Sequence, residues 1–321
     1  MKVKKIIYIV LAISIIVGIG VAVVIGRSSY NKSNAKYRVV ASNFASYDFL
    51  RAIIGDNKDV ELTFLIGPGK DAHSYELTAQ NLITIQNSDL FVYVGGEMEK
   101  WSDKVLESIE KDNTKIICIA DFVDKEEEQE IDGAEKEEED DDEQDGAFDE
   151  HIWSSPENAI KMVNALEKAM EEVDNSNALK YKENAEKYIT QIKEVDNKIQ
   201  DIVDNKVRDR LIFADKMPMQ YFIDYYKLKV SSAFNGCSTE TEPSAKTIAY
   251  LQKKVKEEKI PVVLYIELNP GRVAQTIANE TGAKAMQIQT LHNVSLDDFN
   301  KGETWVSLMT RNIDVLKKAL Q

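Results

Sequence analysis

The sequence predicts an α/β fold made of two similar lobes, each with a mostly parallel sheet flanked by helices, joined by one long rigid helix. Three observations indicate this architecture. Short apolar segments alternate with longer segments of helical periodicity, which is typical of βαβ units. The alternation occurs twice, on either side of a stretch of about 30 residues whose apolar positions recur at three- or four-residue steps. The length of 321 residues also suits two domains.

In the first half of the chain, four apolar segments have the length of strands and are separated by segments of helical periodicity. The predicted strands are 38–42, 60–66, 89–95 and 115–120. The predicted helices are 44–54, 78–88 and 97–111. Gly55 follows the first helix, at a place where glycine commonly ends one. Because each strand leads into a helix, we expect the strands to pair in parallel.

The middle of the chain is predicted to be helical. One helix covers 156–173, with Pro156 in its first turn, a favoured position for proline. The next covers 178–207 and would be about 45 Å long at 1.5 Å per residue, so we interpret it as the rigid connector. The second half then repeats the alternation of the first. Its predicted strands are 211–214, 229–234, 262–267 and 285–289, and its predicted helices are 219–226, 244–258, 269–281 and 304–320.

The first residues of the chain have the composition of a membrane anchor. Residues 6–25 are uncharged and follow Lys2, Lys4 and Lys5. About 20 apolar residues span the hydrocarbon layer of a bilayer, and the lysines favour a cytoplasmic N-terminus. We therefore predict an N-terminal transmembrane helix that is not cleaved, with the bulk of the chain extracellular. A cleaved signal peptide is the alternative.

These elements divide the chain into four predicted parts. They are an anchor and spacer at 1–36, an N-terminal lobe at 37–157, a helical connector at 158–207 and a C-terminal lobe at 208–321.

The net charge of −15 comes from one segment of the N-terminal lobe. Residues 124–150 hold 17 acidic side chains and two lysines, whereas the rest of the chain has 38 residues of each sign. No basic face stands out, which argues against nucleic-acid binding. Two interpretations of the acidic loop stay open. It is a mobile solvated insertion, because it has few apolar residues to bury, or it is a low-affinity collector of divalent cations.

The chain has only three histidines, and all of them lie in predicted loops. His73 follows Pro68 and Gly69 after a strand, His151 precedes the helix 156–173, and His292 follows a short apolar segment. Loops of this kind line the ligand-binding crevice of α/β proteins, and imidazole is a good ligand for zinc. The histidines are 78 and 141 residues apart and form no local metal motif. A metal bound to all three would bridge the lobes.

Several motifs resemble the solute-binding proteins of zinc and manganese ABC uptake transporters, whose two lobes are joined by one long helix. The motif PGKDAHSYE at 68–76 is close to the family pattern Pro-Gly-x-Asp-Pro-His-x-Tyr-Glu. DEHIW at 149–153 and GCSTETEPS at 236–244 add further matches in the same order. The resemblance covers the chain from about residue 38 to residue 320. It implies a binding protein, not an enzyme, that captures a divalent metal and delivers it to an ABC permease.

The resemblance also implies a set of metal ligands. His73 and His151 match the first two ligands of the family, and His292 lies near the position of a final Asp or Glu ligand. The third family ligand, usually His or Glu, is replaced here by Ala214. The usual set of four is therefore incomplete.

An oxygen ligand would complete the set. Asp215, Glu267 or a water is the candidate for it. Three histidines and one oxygen suit tetrahedral Zn²⁺ better than Mn²⁺, which prefers more oxygens. We therefore expect zinc as the bound solute. The resemblance implies a permease as partner, the predicted anchor implies the membrane, and we expect a monomer. The alternatives are a zinc hydrolase that uses the same three histidines, with Glu267 or Asp215 as its base, and a surface adhesin built on this fold.

Overall fold

Two parallel sheets of four strands organise the chain in the computed structural model, which describes residues 35–109, 114–135, 148–236, 238 and 242–321. The first sheet consists of β1 (Tyr37–Ala41), β2 (Val60–Phe64), β3 (Leu90–Tyr93) and β4 (Lys115–Cys118), in the order β2-β1-β3-β4. The second consists of β5 (Arg210–Lys216), β6 (Lys229–Phe234), β7 (Val262–Tyr265) and β8 (Lys284–Gln287), in the order β6-β5-β7-β8. All of the strand pairs are parallel. The predicted α/β class with two parallel sheets is confirmed.

Helices follow the strands in both halves. Those of the first half are α1 (Phe44–Ile54), α2 (Ala79–Gln86) and α3 (Trp101–Ser108). The middle helices are α4 (Pro156–Val173) and α5 (Ala178–Asp204). Those of the second half are α6 (Gln220–Tyr225), α7 (Ala245–Glu257), α8 (Arg272–Thr281), α9 (Leu296–Asn300) and α10 (Trp305–Leu320). Helix α9 was not predicted from the sequence, since five residues are too few for helical periodicity to show.

Several predicted features lie wholly or partly outside the described residues. They are the transmembrane segment 6–25, the central part of the acidic loop at 136–147, the end of the predicted helix 97–111 and part of the motif at 236–244. Within the part of the chain that the structure describes, none of the helices combines the length and the apolar character needed to cross a membrane.

The described start of the acidic loop, residues 124–135, is held against the second sheet. Asp132 forms a parallel bridge with Ser231 of β6, and Glu135 donates its backbone N–H to the Ala233 carbonyl at 2.9 Å. The Asp132 carboxylate also pairs with Arg210 and Lys254, both at 3.2 Å. These contacts place Asp132 and Glu135 on the second sheet, whereas the mobility of the loop as a whole stays a prediction. Composition could not show this, because the cations that hold Asp132 are more than 70 residues away in the sequence.

One hydrophobic core extends through both sheets. It contains Val39 and Leu90 of the first sheet together with Leu211 and Leu264 of the second. The long helix α5 buries residues at three- and four-residue steps, as predicted, and packs on α1, α4 and α10. Separating the two sheets would expose apolar surface to water, which is unfavourable. That α5 serves as a rigid connector stays a prediction.

A buried carboxylate links three of these helices. Asp48 of α1 is fully buried and accepts hydrogen bonds from the Arg51 guanidinium, the Tyr188 hydroxyl of α5 and the Trp305 backbone N–H at the start of α10. Burial raises the pKa of Asp48, while these donors act in the opposite direction. Hydrogen bonds to this one carboxylate thereby connect α1, α5 and α10.

Asp48→Ala should lower the free energy of unfolding by about 2–4 kcal/mol, because it leaves buried donors without an acceptor. Urea denaturation followed by circular dichroism measures this change. The matched control is Asp56→Ala, which removes an exposed aspartate paired with Lys180 and should leave the stability almost unchanged. Equal stability of the two variants would contradict the structural role given to Asp48.

Candidate metal centre

The three histidines of the chain come together at the carboxyl ends of the strands. His73 lies in the loop after β2, His151 precedes the short 3₁₀ turn Ile152–Ser154 before α4, and His292 lies in the loop after β8. The first loop is fixed to the third, since Gly69 donates its backbone N–H to the Val294 carbonyl at 2.8 Å. Gly69 has a φ of +73°, a left-handed conformation that favours glycine.

Each histidine backbone is held by the side chain two residues before it. The Asp71 carboxylate accepts the backbone N–H of His73 at 2.9 Å, and the Asp149 carboxylate accepts that of His151 at 2.8 Å. The Thr290 hydroxyl accepts the backbone N–H of His292 at 3.3 Å. Short polar side chains commonly form such local turns. The sequence carries this signal as Asp-x-His twice and Thr-x-His once, a spacing from which these turns could have been predicted.

The three rings converge closely. Their centroids lie 5.7 Å apart for His73 and His151, 4.9 Å for His73 and His292, and 4.9 Å for His151 and His292. One nitrogen from each ring lies within 4.8 Å of the other two, and His151 Nε2 is 2.8 Å from His292 Nδ1. Tetrahedral zinc with Zn–N bonds of about 2.0–2.1 Å holds its nitrogens about 3.4 Å apart. Small ring movements therefore suffice to surround an ion.

One imidazole nitrogen is left without a partner. His73 Nε2 is buried and has no hydrogen-bond partner among the described residues. Buried polar atoms are nearly always satisfied, so each exception requires an explanation. A cation bound between the three rings would provide the missing partner.

The electrostatic environment keeps two of the rings neutral. Burial, followed by the charges of His292, His151 and Lys216, lowers the pKa of His73 to about 2. Burial, with the charges of His151 and Lys216, also lowers the pKa of His292 to about 4, against the effect of Asp71. Burial lowers the pKa of His151 as well, but Asp149 and Glu150 together outweigh it and the net pKa is raised. Neutral imidazole is the form that binds metals. At pH 7 His73 and His292 are therefore in this form, with Nδ1 of His292 in hydrogen-bond contact with His151 Nε2.

Two carboxylates face the outer nitrogens of the buried rings. Asp149 Oδ1 is 3.1 Å from His151 Nδ1, and Asp71 Oδ1 is 3.5 Å from His292 Nε2. A carboxylate behind an imidazole fixes its tautomer and strengthens it as a ligand. This arrangement leaves His151 Nε2 and His292 Nδ1 directed at the centre. Both aspartates belong to motifs noted in the sequence, but their place behind the rings was not predicted.

The two carboxylates proposed as oxygen ligands are engaged elsewhere. Glu267 accepts the backbone N–H of Thr290 at 2.9 Å, the Thr290 hydroxyl at 2.8 Å and the backbone N–H of Asn293 at 3.1 Å. Asp215 accepts the backbone N–H groups of Lys216 at 2.9 Å and Ile266 at 3.3 Å. The structure does not bring Glu267 or Asp215 into the group of ligand nitrogens. Both shape the loops around the histidines.

A lysine lies beside the same group. Lys216 Nζ donates to Asp71 Oδ2 at 3.0 Å and to the Ser238 carbonyl at 3.3 Å. Lys216 reaches this place through a bulge in β5, where the register with β6 shifts between Phe213 and Lys216. Its role was not predicted from the sequence, because a bulge cannot be read from an apolar pattern.

Comparison with known proteins gives consistent matches. Residues 39–319 match the family model described as zinc-uptake complex component A, periplasmic. The high-affinity zinc uptake system protein ZnuA of Bacillus subtilis is 31% identical over 294 residues, with 92% of this chain and 91% of that protein covered. The zinc-binding lipoprotein AdcA of Streptococcus pneumoniae is 29% identical over 296 residues, with 91% of this chain and 57% of that protein covered. This chain thus spans little more than half of AdcA.

Solved structures show the same fold. The metal-dependent lipoprotein YcdH of Bacillus subtilis superimposes with a TM-score of 0.74 and 26% identity, with 88% of this chain and 99% of that chain covered. The Zn(II)-bound ZnuA-like domain of Streptococcus pneumoniae AdcA gives a TM-score of 0.73 and 26% identity, with 89% and 99% covered.

Glu267→Ala should destabilise the metal-free protein by about 2 kcal/mol, because it leaves three buried donors of the His292 loop without an acceptor. Thermal or urea unfolding in the presence of a chelator measures the change. Glu280→Ala, at an exposed position of α8, is the control and should stay within about 0.5 kcal/mol. If Glu267 acted only as a metal ligand, its removal would leave the metal-free protein as stable as before.

Proposed function

Because the chain belongs to the family of zinc-uptake complex component A proteins, we propose that it captures Zn²⁺ outside the cytoplasm and delivers it to an ABC permease. The observation that carries this proposal is the convergence of three imidazoles, one of which, His73, has a buried Nε2 without a hydrogen-bond partner. The Bacillus subtilis relative is named for high-affinity zinc uptake, and the Streptococcus pneumoniae domain was solved with zinc bound. The zinc ion is the transported solute.

We assign the ligands from the directions of the rings. His73 Nε2, His151 Nε2 and His292 Nδ1 would bind the ion, with Asp149 and Asp71 behind two of the rings. A water is the favoured fourth ligand, since Glu267 and Asp215 are bound to backbone N–H groups. Three nitrogens and one water oxygen match tetrahedral zinc and offer too few oxygens for manganese.

The family transports metal and does not catalyse a reaction, as the sequence predicts. The hydrolase alternative requires a general base that faces the metal-bound water. Glu267 and Asp215 were the candidates for this base, and their oxygens accept backbone N–H groups of the surrounding loops. No specific observation favours the hydrolase.

The arrangement of the protein at the cell surface follows from the same proposal. Residues 6–25 would anchor the chain in the membrane, with the rest extracellular. The parts 37–157 and 208–321 would form two lobes around the ion, with 158–207 as their connector. A single chain supplies all three histidines, so a monomer is sufficient.

His73→Ala, His151→Ala and His292→Ala should each weaken zinc binding about a hundredfold or more, because losing a direct ligand exceeds the 10- to 100-fold cost of losing an outer partner. Competition with a zinc chelator measures the dissociation constants. Ser74→Ala, next to His73 but exposed, should bind like the wild type. Affinities within a few-fold of wild type in all three variants would contradict the assignment of the ligands.

Excess zinc should also stabilise the wild type against unfolding, by about 2.7 kcal/mol at a zinc concentration 100 times the dissociation constant.

Deleting the gene should stop growth in medium whose zinc is chelated, since capture would then fail at limiting metal. Expression of the wild-type chain should restore growth, whereas expression of His151→Ala should not. Growth curves with added zinc or added manganese measure the effect, and only zinc should replace the missing protein. Undiminished growth of the deletion strain under chelation would argue against a role in zinc uptake.

A further inference from the structure

A nearly buried ammonium group stands next to the proposed cation site. Lys216 is only 8% exposed, which is unusual for lysine and requires a partner. Its partners are Asp71 Oδ2 at 3.0 Å and the Ser238 carbonyl at 3.3 Å. The charge of Lys216 acts on all three histidine rings. The positive charge of Lys216 would repel a divalent ion bound there, and buried surroundings screen this repulsion poorly.

The Asp71 carboxylate contacts both Lys216 and the histidine cluster. Its Oδ1 accepts the His73 backbone N–H at 2.9 Å and faces His292 Nε2 at 3.5 Å, while its Oδ2 lies 3.0 Å from Lys216 Nζ. The contact with the lysine is therefore closer than the contact with the imidazole. Asp149, by comparison, lies 3.1 Å from the ring that it supports, His151.

The effect on the ligand follows from the chemistry of carboxylate–imidazole pairs. A carboxylate behind a ligating imidazole raises its basicity and typically strengthens metal binding 10- to 100-fold. An ammonium group that pairs with the same carboxylate partly neutralises the carboxylate charge. The carboxylate then raises the basicity of the imidazole less. His292 is then a weaker ligand than His151, which has a closer carboxylate.

We propose that Lys216 is a positioning residue that lowers the zinc affinity of the three-histidine site. It does so by holding Asp71 away from His292 and by placing a positive charge beside the bound ion. The pair joins β5 of the second sheet to the loop after β2 of the first, across the place where the ion would bind. The inference rests on the proposed function, since it concerns zinc bound at that site. Its consequence is a site that captures zinc and still releases it.

The test compares Lys216→Met with the wild type. The variant should bind zinc about tenfold more tightly, because a nearby charge typically changes such equilibria by a factor of ten or more. Chelator competition gives the dissociation constant, and stopped-flow mixing with excess chelator gives the dissociation rate, which should fall. Lys216→Arg keeps the charge and should retain the low affinity. Lys70→Met removes an exposed lysine from the same loop as Asp71 and should change the affinity by less than about twofold.

A second variant tests the link through Asp71. Asp71→Asn removes the carboxylate behind His292 and leaves the lysine charge unpaired, so affinity should fall about tenfold. Adding Lys216→Met to Asp71→Asn should recover part of this loss, and the double-mutant cycle gives the coupling.

An unchanged affinity in Lys216→Met would overturn the inference. A weaker affinity would overturn it as well, and a lower melting temperature of the metal-free variant would then identify Lys216 as a brace for the Asp71 loop. Failure of the proposed function would give a different result, because the wild type and His151→Ala would then bind zinc equally weakly. In that case the inference about Lys216 fails with it.

Discussion

Histidines from distant parts of the chain meet because two parallel sheets share one hydrophobic core. Val39 and Leu90 from one sheet, and Leu211 and Leu264 from the other, belong to the same buried cluster. The helix α5 packs on helices of both halves, and Asp48 adds a buried polar tie between α1, α5 and α10. The histidine cluster is therefore supported by contacts that lie far from it. Wide separation of the sheets would expose this core to water.

Within that framework, local hydrogen bonds fix the backbone of each histidine. The side chain two residues before each histidine holds its backbone N–H, and Asp71 and Asp149 also face the rings themselves. Side chains held in this way would lose little conformational freedom on binding the proposed ion. Glu267 contributes in the same manner, since it fixes the backbone of the loop that carries His292.

The sequence predicted the fold class and the grouping of the histidines, and it did so for a physical reason. Strands and helices leave periodic patterns, and the ends of parallel strands meet at one edge of a sheet. Residues whose roles depend on distant contacts could not be predicted in this way. Lys216 reaches the site only through a bulge in β5, and Asp132 is held by Arg210 and Lys254. Glu267 and Asp215 were found as carboxylates at strand ends, but a sequence does not tell which neighbouring N–H groups will bind them.

A metal carrier has to bind its ion from dilute solution and give it up again. A shared core limits how far the sheets can move apart, so release has to depend on the strength of the ligands as well as on movement. Neutral His73 and His292, with Asp149 behind His151, favour capture. In our proposal, Lys216 opposes capture by binding Asp71, the carboxylate that faces His292. Because Lys216 and Asp71 belong to opposite halves, even a small relative shift would alter their 3.0 Å contact and the charge on His292 together. In the proposed carrier, the affinity of the site would thus depend on the spacing of the halves without requiring a large hinge motion.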